Sequence, residues 1–324
     1  AMQGDAFMGQ YDTKPQEYLF GFRGRMDERY DLVRSVRNQR YLYIKNYMPH
    51  KKYGQYLNYM FQTPTTQVWK KMYDAGELKP PQTYFWETKP AEELYDLQAD
   101  RDEVNNLADS AEHQAVLKEL KQAQHKKILA IRDLGFLPEA EFHSLADGEA
   151  PYLVGQNKEL YPLRQILKMA DLASSGKPSG VDQLIKGLSS QNAAIRYWAA
   201  MGLLMRGEPA VAQAHESLLN ALEDNSKSVR CIAAEALGKY GTQQDVDNAV
   251  DTLISLSDQK QEGVYVAMLA LNGLDKLGSE KVARVQDQIA KLPLKNAQLD
   301  RRLQSYVSRL VERLQEQQAQ AAEK

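Results

Sequence analysis

Residues 21–37 read Gly-Phe-Arg-Gly-Arg-Met-Asp-Glu-Arg-Tyr-Asp-Leu-Val-Arg-Ser-Val-Arg, and the reading of the first half follows from them. Five arginines and three acids stand between short apolar runs. Tyr18–Phe22 and Leu32–Val36 are strand candidates on either side of a charged turn. Tyr41–Met48 follows with strict alternation: Leu42, Ile44 and Met48 point one way, Tyr41, Tyr43, Lys45 and Tyr47 the other. A period of two over eight residues predicts a half-buried strand. The polar link Arg37–Arg40 predicts an antiparallel hairpin between the second and third strands.

Outward from this sheet, residues 49–90 mix aromatics with prolines, and a short helix around Val68–Met72 should stop near Gly76. This density fits either an irregular excursion packed on a neighbour or a cleft wall. Glu93–Leu97 reads as an edge strand. A helix with one apolar stripe from Val116 to Ile131 follows, with Asp109 and Glu112 at capping-box spacing and Gly135 and Pro138 ending it. A helix across an antiparallel sheet is an α+β arrangement.

The chain has 324 residues, enough for two cores, and its net charge of −2 gives no overall pull toward nucleic acid. Basic residues nevertheless outnumber acids between Arg23 and Lys52, a local patch that suits an anionic ligand or a solvated sheet face. The single cysteine, Cys231, excludes an intramolecular disulfide framework, and core packing is the expectation for it. No apolar run reaches the roughly 18 residues of a membrane span, and no signal-peptide pattern shows at Ala1–Gly4. Histidines 50, 113, 125, 143 and 215 share no ligand spacing, so no zinc site is expected.

After a stretch at 148–180 with one helix around Leu160–Leu172, a repeat appears. Ile195–Arg196, Val229–Arg230 and Val264–Tyr265 open successive Ala- or Leu-rich helices at intervals of about 34 residues, each preceded by an amphipathic helix. This resembles HEAT-type repeats, an all-α solenoid, with Val229–Gly238 nearest the pattern and Tyr265 departing from it. A last helix from Leu299 to Leu314 should cap the stack, and the polar run Glu316–Lys324 should fray.

The ordered series Arg25–Asp31, Val33–Arg37, Arg40–Ile44, Asn46–His50, Glu93–Leu97 and Asn106–Ala108 resembles the C-terminal subdomain of the sulfatase family, in the branch of bacterial heparan N-sulfatase-like and arylsulfatase-like enzymes. Arg101 departs, where the family often has proline. The resemblance implies an α+β subdomain over 1–147, a linker over 148–180 and a HEAT-like unit over 181–324. It implies hydrolysis of sulfate esters or sulfamates by a formylglycine, made within a Cys/Ser-x-Pro-x-Arg motif, assisted by calcium. Cys231 is followed by Ile-Ala-Ala-Glu, so that motif, the calcium and the catalysis are expected in an N-terminal catalytic domain. This chain alone is expected to be inactive.

By the same resemblance Arg25, Asp27, Glu28, Arg29 and His50 are the candidates for walling a cleft for sulfated carbohydrate, since arginine suits sulfate oxygens and acids suit sugar hydroxyls. The opposing reading makes 25–29 an internally paired turn at a domain junction. The expected partners are the protein's own catalytic domain, the sulfated sugar and a possible protein on the solenoid. The expected location is periplasmic or secreted. A sheet parted from its catalytic domain should also expose an aromatic patch. A stand-alone helical-repeat binding protein is the alternative.

Overall fold

The computed structural model describes residues 6–12 and 15–322. Four strands, β1 (Leu19–Arg23), β2 (Val33–Arg37), β3 (Tyr41–Asn46) and β4 (Glu92–Asp96), form an antiparallel sheet in the order β1-β2-β3-β4. Phe20, Val36, Tyr43 and Leu94 stand opposite one another across it, and Val36, Tyr43 and Leu94 are buried with Leu117 and Leu120 of the helix laid over them. The buried face of β3 is therefore its Tyr43–Lys45–Tyr47 face, while Leu42 and Ile44 are half-buried. Long side chains with polar tips can fill such a layer because their tips find partners: the Tyr43 hydroxyl donates to Glu92 at 2.6 Å. Desolvation pushes the pKa of the Lys45 ammonium down to about 8, with Glu92 and Asp171 opposing.

The excursion holds α1 (Asn58–Phe61) and α2 (Pro64–Asp74). Its aromatics make a small core of their own around the fully buried Trp86, which meets Trp69 at 5.2 Å and Phe61 at 6.1 Å. The helix over the sheet, α3 (Gln114–Ile131), opens on a single 3-10 turn without the expected capping box. Ser110 turns its hydroxyl to His113 instead, and Gln114 donates back to the Ala108 and Ser110 carbonyls. Arg132, left-handed at φ +52, ends α3.

Helices follow to the C-terminus: α4 (Glu139–Ala146), α5 (Pro151–Gln156), α6 (Leu163–Ser174), α7 (Val181–Gly187), α8 (Ala193–Arg206), α9 (Glu208–Gln213), α10 (His215–Ala221), α11 (Lys227–Tyr240), α12 (Gln243–Ser255), α13 (Val264–Leu277), α14 (Ser279–Val282), α15 (Gln286–Ala290) and α16 (Tyr306–Ala322). α8, α11, α13 and α16 pack in turn. The first two start alike, with Asn192 capping Ile195 N–H and Ser226 capping Val229 N–H. Their arginines then brace the preceding turns: Arg196 donates to the Ser190 carbonyl and Arg230 to the Leu222 carbonyl, each at 2.8 Å, and Arg196 also grips Asp224, in the turn before α11, through two 2.7 Å bonds. Tyr265 makes no such brace and stacks on His143 at 4.5 Å. The C-terminal run expected to fray is helical as far as Ala322, because α16 buries Tyr306, Val307, Leu310, Val311 and Leu314. The last two positions of that run, Glu323 and Lys324, lie outside the described residues.

One apolar cluster runs from Leu32, Tyr47 and Met48 through Phe136 and Trp198 to Leu314, crossing both boundaries drawn at 147 and 180. Tyr47 meets Phe136 edge-on at 4.7 Å, and Trp198 of α8 donates to the Phe136 carbonyl at 2.9 Å.

Within the stack, His215 lies 3.0 Å from both carboxylate oxygens of Asp245, itself the reciprocal cap of α12 with Thr242. The Asp245 hydrogen bond raises the His215 pKa. A raised histidine pKa gives stability that is complete below the unfolded value, about 6.5, and is lost as pH rises through the folded one. Asp245→Asn should therefore return His215 to its ordinary range in an NMR titration and flatten this alkaline loss. An unchanged titration would refute the pairing.

Candidate functional site

The arginine-rich stretch forms a tight turn, closed by Met26 N–H to the Arg29 carbonyl at 2.7 Å and Arg29 N–H to the Met26 carbonyl at 2.9 Å. Asp27 sits at φ +46, a left-handed position that aspartate tolerates better than most residues. The turn drives its side chains into the helical stack. Arg25 holds Glu139 of α4 through 2.9 Å contacts and lies between the rings of Tyr265 and Tyr306, 5.6 and 5.2 Å from their centroids. Desolvation works against the Arg25 charge, and the Glu139 carboxylate outweighs it, so the arginine pKa is raised.

Asp27 accepts from the Tyr306 hydroxyl at 3.4 Å and lies 3.9 Å from Arg309. Glu28, 2% exposed, takes the backbone N–H of Asn58 at 2.7 Å and approaches Arg309 at 3.5 Å. Arg29, equally buried, donates to the Tyr56 carbonyl, to Asn272 and to Asp275, each at 2.7 Å. His50 stands apart from this turn. Both its ring nitrogens are shielded and lack hydrogen-bond partners among the described residues. Burial, followed by the Lys51, Lys276, Lys239 and Lys89 charges, holds its pKa well below the usual range, so the ring is neutral at pH 7.

Arg25, Glu28, Lys51, Tyr197, Ser228 and Asn272 border a cavity of about 50 Å³ at this junction. That volume admits a few waters and no sugar ring. On the far side of Arg29 a cleft of about 570 Å³ opens between the excursion and α16. Arg29 is the one sequence-selected residue that lines it. Its other walls, on α13 and α16, lie more than 240 residues away along the chain, and no local spacing could have announced them.

Among the described residues no group of three or more His, Cys, Asp or Glu is placed to hold a metal ion. Cys231 is buried, and desolvation drives its thiol far above the ordinary range, so it offers no nucleophile. These residues do not fit a calcium cage or a formylglycine site. The sheet, by contrast, leaves its outer edge open: among the described residues β1 has no strand partner on its free side, and Phe22 is 84% exposed beside Leu19 and Phe20.

The chain carries a sulfatase-related region. Over 141 residues it is 38% identical to an ulvan-active sulfatase from Formosa agariphila, a match that takes in 43% of this chain and 24% of that protein. The chain thus spans about a quarter of that relative's length. No protein-family model matches it.

Proposed function

We propose that this chain is the non-catalytic C-terminal part of a sulfatase acting on sulfate esters or sulfamates, and that its sheet walls a cleft for sulfated carbohydrate. The 38% identity over 141 residues carries this reading, and that length is close to the 147 residues assigned to the α+β subdomain. Residues 181–324 are a HEAT-like appendage for protein interaction. The matched caps at Asn192 and Ser226 and the braces of Arg196 on the Ser190 carbonyl and Arg230 on the Leu222 carbonyl, the two arginines 34 residues apart, support the repeat. Calcium and formylglycine belong to a catalytic unit outside these residues, and the protein works in the periplasm or outside the cell.

The open β1 edge and exposed Phe22 are the docking surface for that unit, since an unpaired strand with aromatic side chains invites a covering partner. The test is to mix the chain with a separately made catalytic unit of the same protein. A complex should form, Phe22→Glu should weaken it at least tenfold, and the chain alone should release no sulfate from a sulfated oligosaccharide. Turnover by the chain alone, or no complex, would reject the reading in favour of a stand-alone helical-repeat binding protein.

A further inference from the structure

The cleft beyond Arg29 carries chemistry that the closed junction lacks. Its walls come from the excursion, α2, α13 and α16. Five cations line it, Arg29, Lys52, Lys70, Lys276 and Arg313, against three acids. Each acid already has a partner. Asp275 takes Arg29 at 2.7 Å and Gln317 at 2.8 Å, Asp74 takes Lys70 at 2.5 Å, and Glu316 lies 3.7 Å from Arg313. Among the described residues, neither Lys52 nor Lys276 has a carboxylate within ion-pair distance.

Two guanidinium nitrogens on the lining residues, Arg29 Nη2 and Arg313 Nε, are shielded from solvent without hydrogen-bond partners among the described residues. Such donors are costly when left unpaired, and an anion satisfies them. Desolvation, together with the Arg29 and Lys52 charges, holds the Lys276 ammonium below its ordinary range, against the pull of Asp275 and Glu235. The cleft also holds a paired aromatic surface, Tyr56 and Phe61 with centroids 4.5 Å apart, and the Arg313 guanidinium lies 4.4 Å over Tyr56. The amides of Gln67, Gln317 and Gln320 add donors and acceptors for hydroxyls.

We propose that this cleft is a non-catalytic binding site for an anionic saccharide, held through sulfate esters or carboxylates by Lys52, Lys276, Arg29 and Arg313. The cations stand on four separate elements, so they match charges distributed along a chain better than one compact phosphate. The volume is that of an oligosaccharide-sized ligand site. The anionic character rests on the cleft alone; the choice of a saccharide rests on the sulfatase reading. Arg29 ties the two, since the same side chain that anchors the junction also lines the cleft.

The experiment is calorimetric titration of the full chain with a carrageenan hexasaccharide, its desulfated counterpart, an oligogalacturonate and a single-stranded DNA of equal charge. The sulfated sugar should bind and the neutral one should not. Oligogalacturonate binding would assign the recognition to any sugar anion, and its failure would assign it to sulfate. Lys52→Gln and Lys276→Gln should each weaken binding about tenfold, as expected for a lost hydrogen bond to a charged group. Lys168→Gln, on the exposed face of α6, removes the same charge elsewhere and should change nothing. No binding, equal binding of the neutral sugar, tighter binding of DNA, or an equal effect of Lys168→Gln would overturn the proposal. None of these readouts requires the catalytic unit, so failure here leaves the docking experiment to be judged separately.

Discussion

Lys89→Met is expected to remove about 3–5 kcal/mol of folding free energy, read as a lower urea midpoint at unchanged m-value. The Lys89 side chain is fully buried and Asp31 is nearly so, and the ammonium bonds directly to Asp31. Asp31 Oδ1 also accepts the Leu32 N–H at 2.9 Å. Lys89 lies where the excursion rejoins the sheet, with its own N–H on the Pro49 carbonyl at 2.9 Å and its ammonium 5.7 Å from the Tyr53 ring centroid. Methionine keeps the apolar stem and leaves the carboxylate charged and stranded. Desolvation dominates at such a site, so the cost comes from the orphaned partner more than from the lost attraction. Asp31→Leu combined with Lys89→Met should recover most of the loss. A single variant within 1 kcal/mol of the parent, or a double variant as unstable as the single, would show that this pair does not clasp the excursion.

The local part of this architecture is legible in the sequence. Period two marks β3, the polar link marks the β2–β3 hairpin, and the Ala- and Leu-rich runs after Ile195, Val229 and Val264 mark the helices α8, α11 and α13, because each signal lies within one turn, strand or helix. The face of β3 that becomes core was not legible: apolar character favours Leu42 and Ile44, whereas the layer under α3 uses Tyr43 and the stem of Lys45. Nor were the partners of the 25–29 turn. Arg25 reaches Glu139, 114 residues on, and Arg29 reaches Asp275, 246 residues on. Tyr265 looked like a defect in the third repeat unit. In the folded protein, losing the bracing arginine there gives Arg25 an aromatic surface to rest on.

The same long reach makes Arg29 the second sensitive position. Arg29→Met is expected to cost about 3–5 kcal/mol, since it leaves Asp275, whose side chain is 10% exposed, without its cation and strips donors from Asn272 and the Tyr56 carbonyl. Leu32 and Tyr47, flanking β2 and β3, belong to the apolar cluster that runs to Leu314, so sheet and helices should still unfold in one transition, with coincident fluorescence and circular dichroism midpoints. The pH dependence separates a lost ion pair from lost packing. Burial alone would raise the Asp275 pKa, yet the Arg29 and Lys276 charges hold it below the ordinary value. A depressed carboxyl pKa gives stability present above the unfolded value, about 3.9, and lost as pH falls through the folded one. In Arg29→Met the desolvation remains and its largest counterweight is gone, so the Asp275 pKa should climb. The gap between parent and variant should then be widest near neutrality and narrow as the solution is acidified. A gap that stays constant with pH would mean that Arg29 acts through its packing, and that its charge is free to serve the cleft alone.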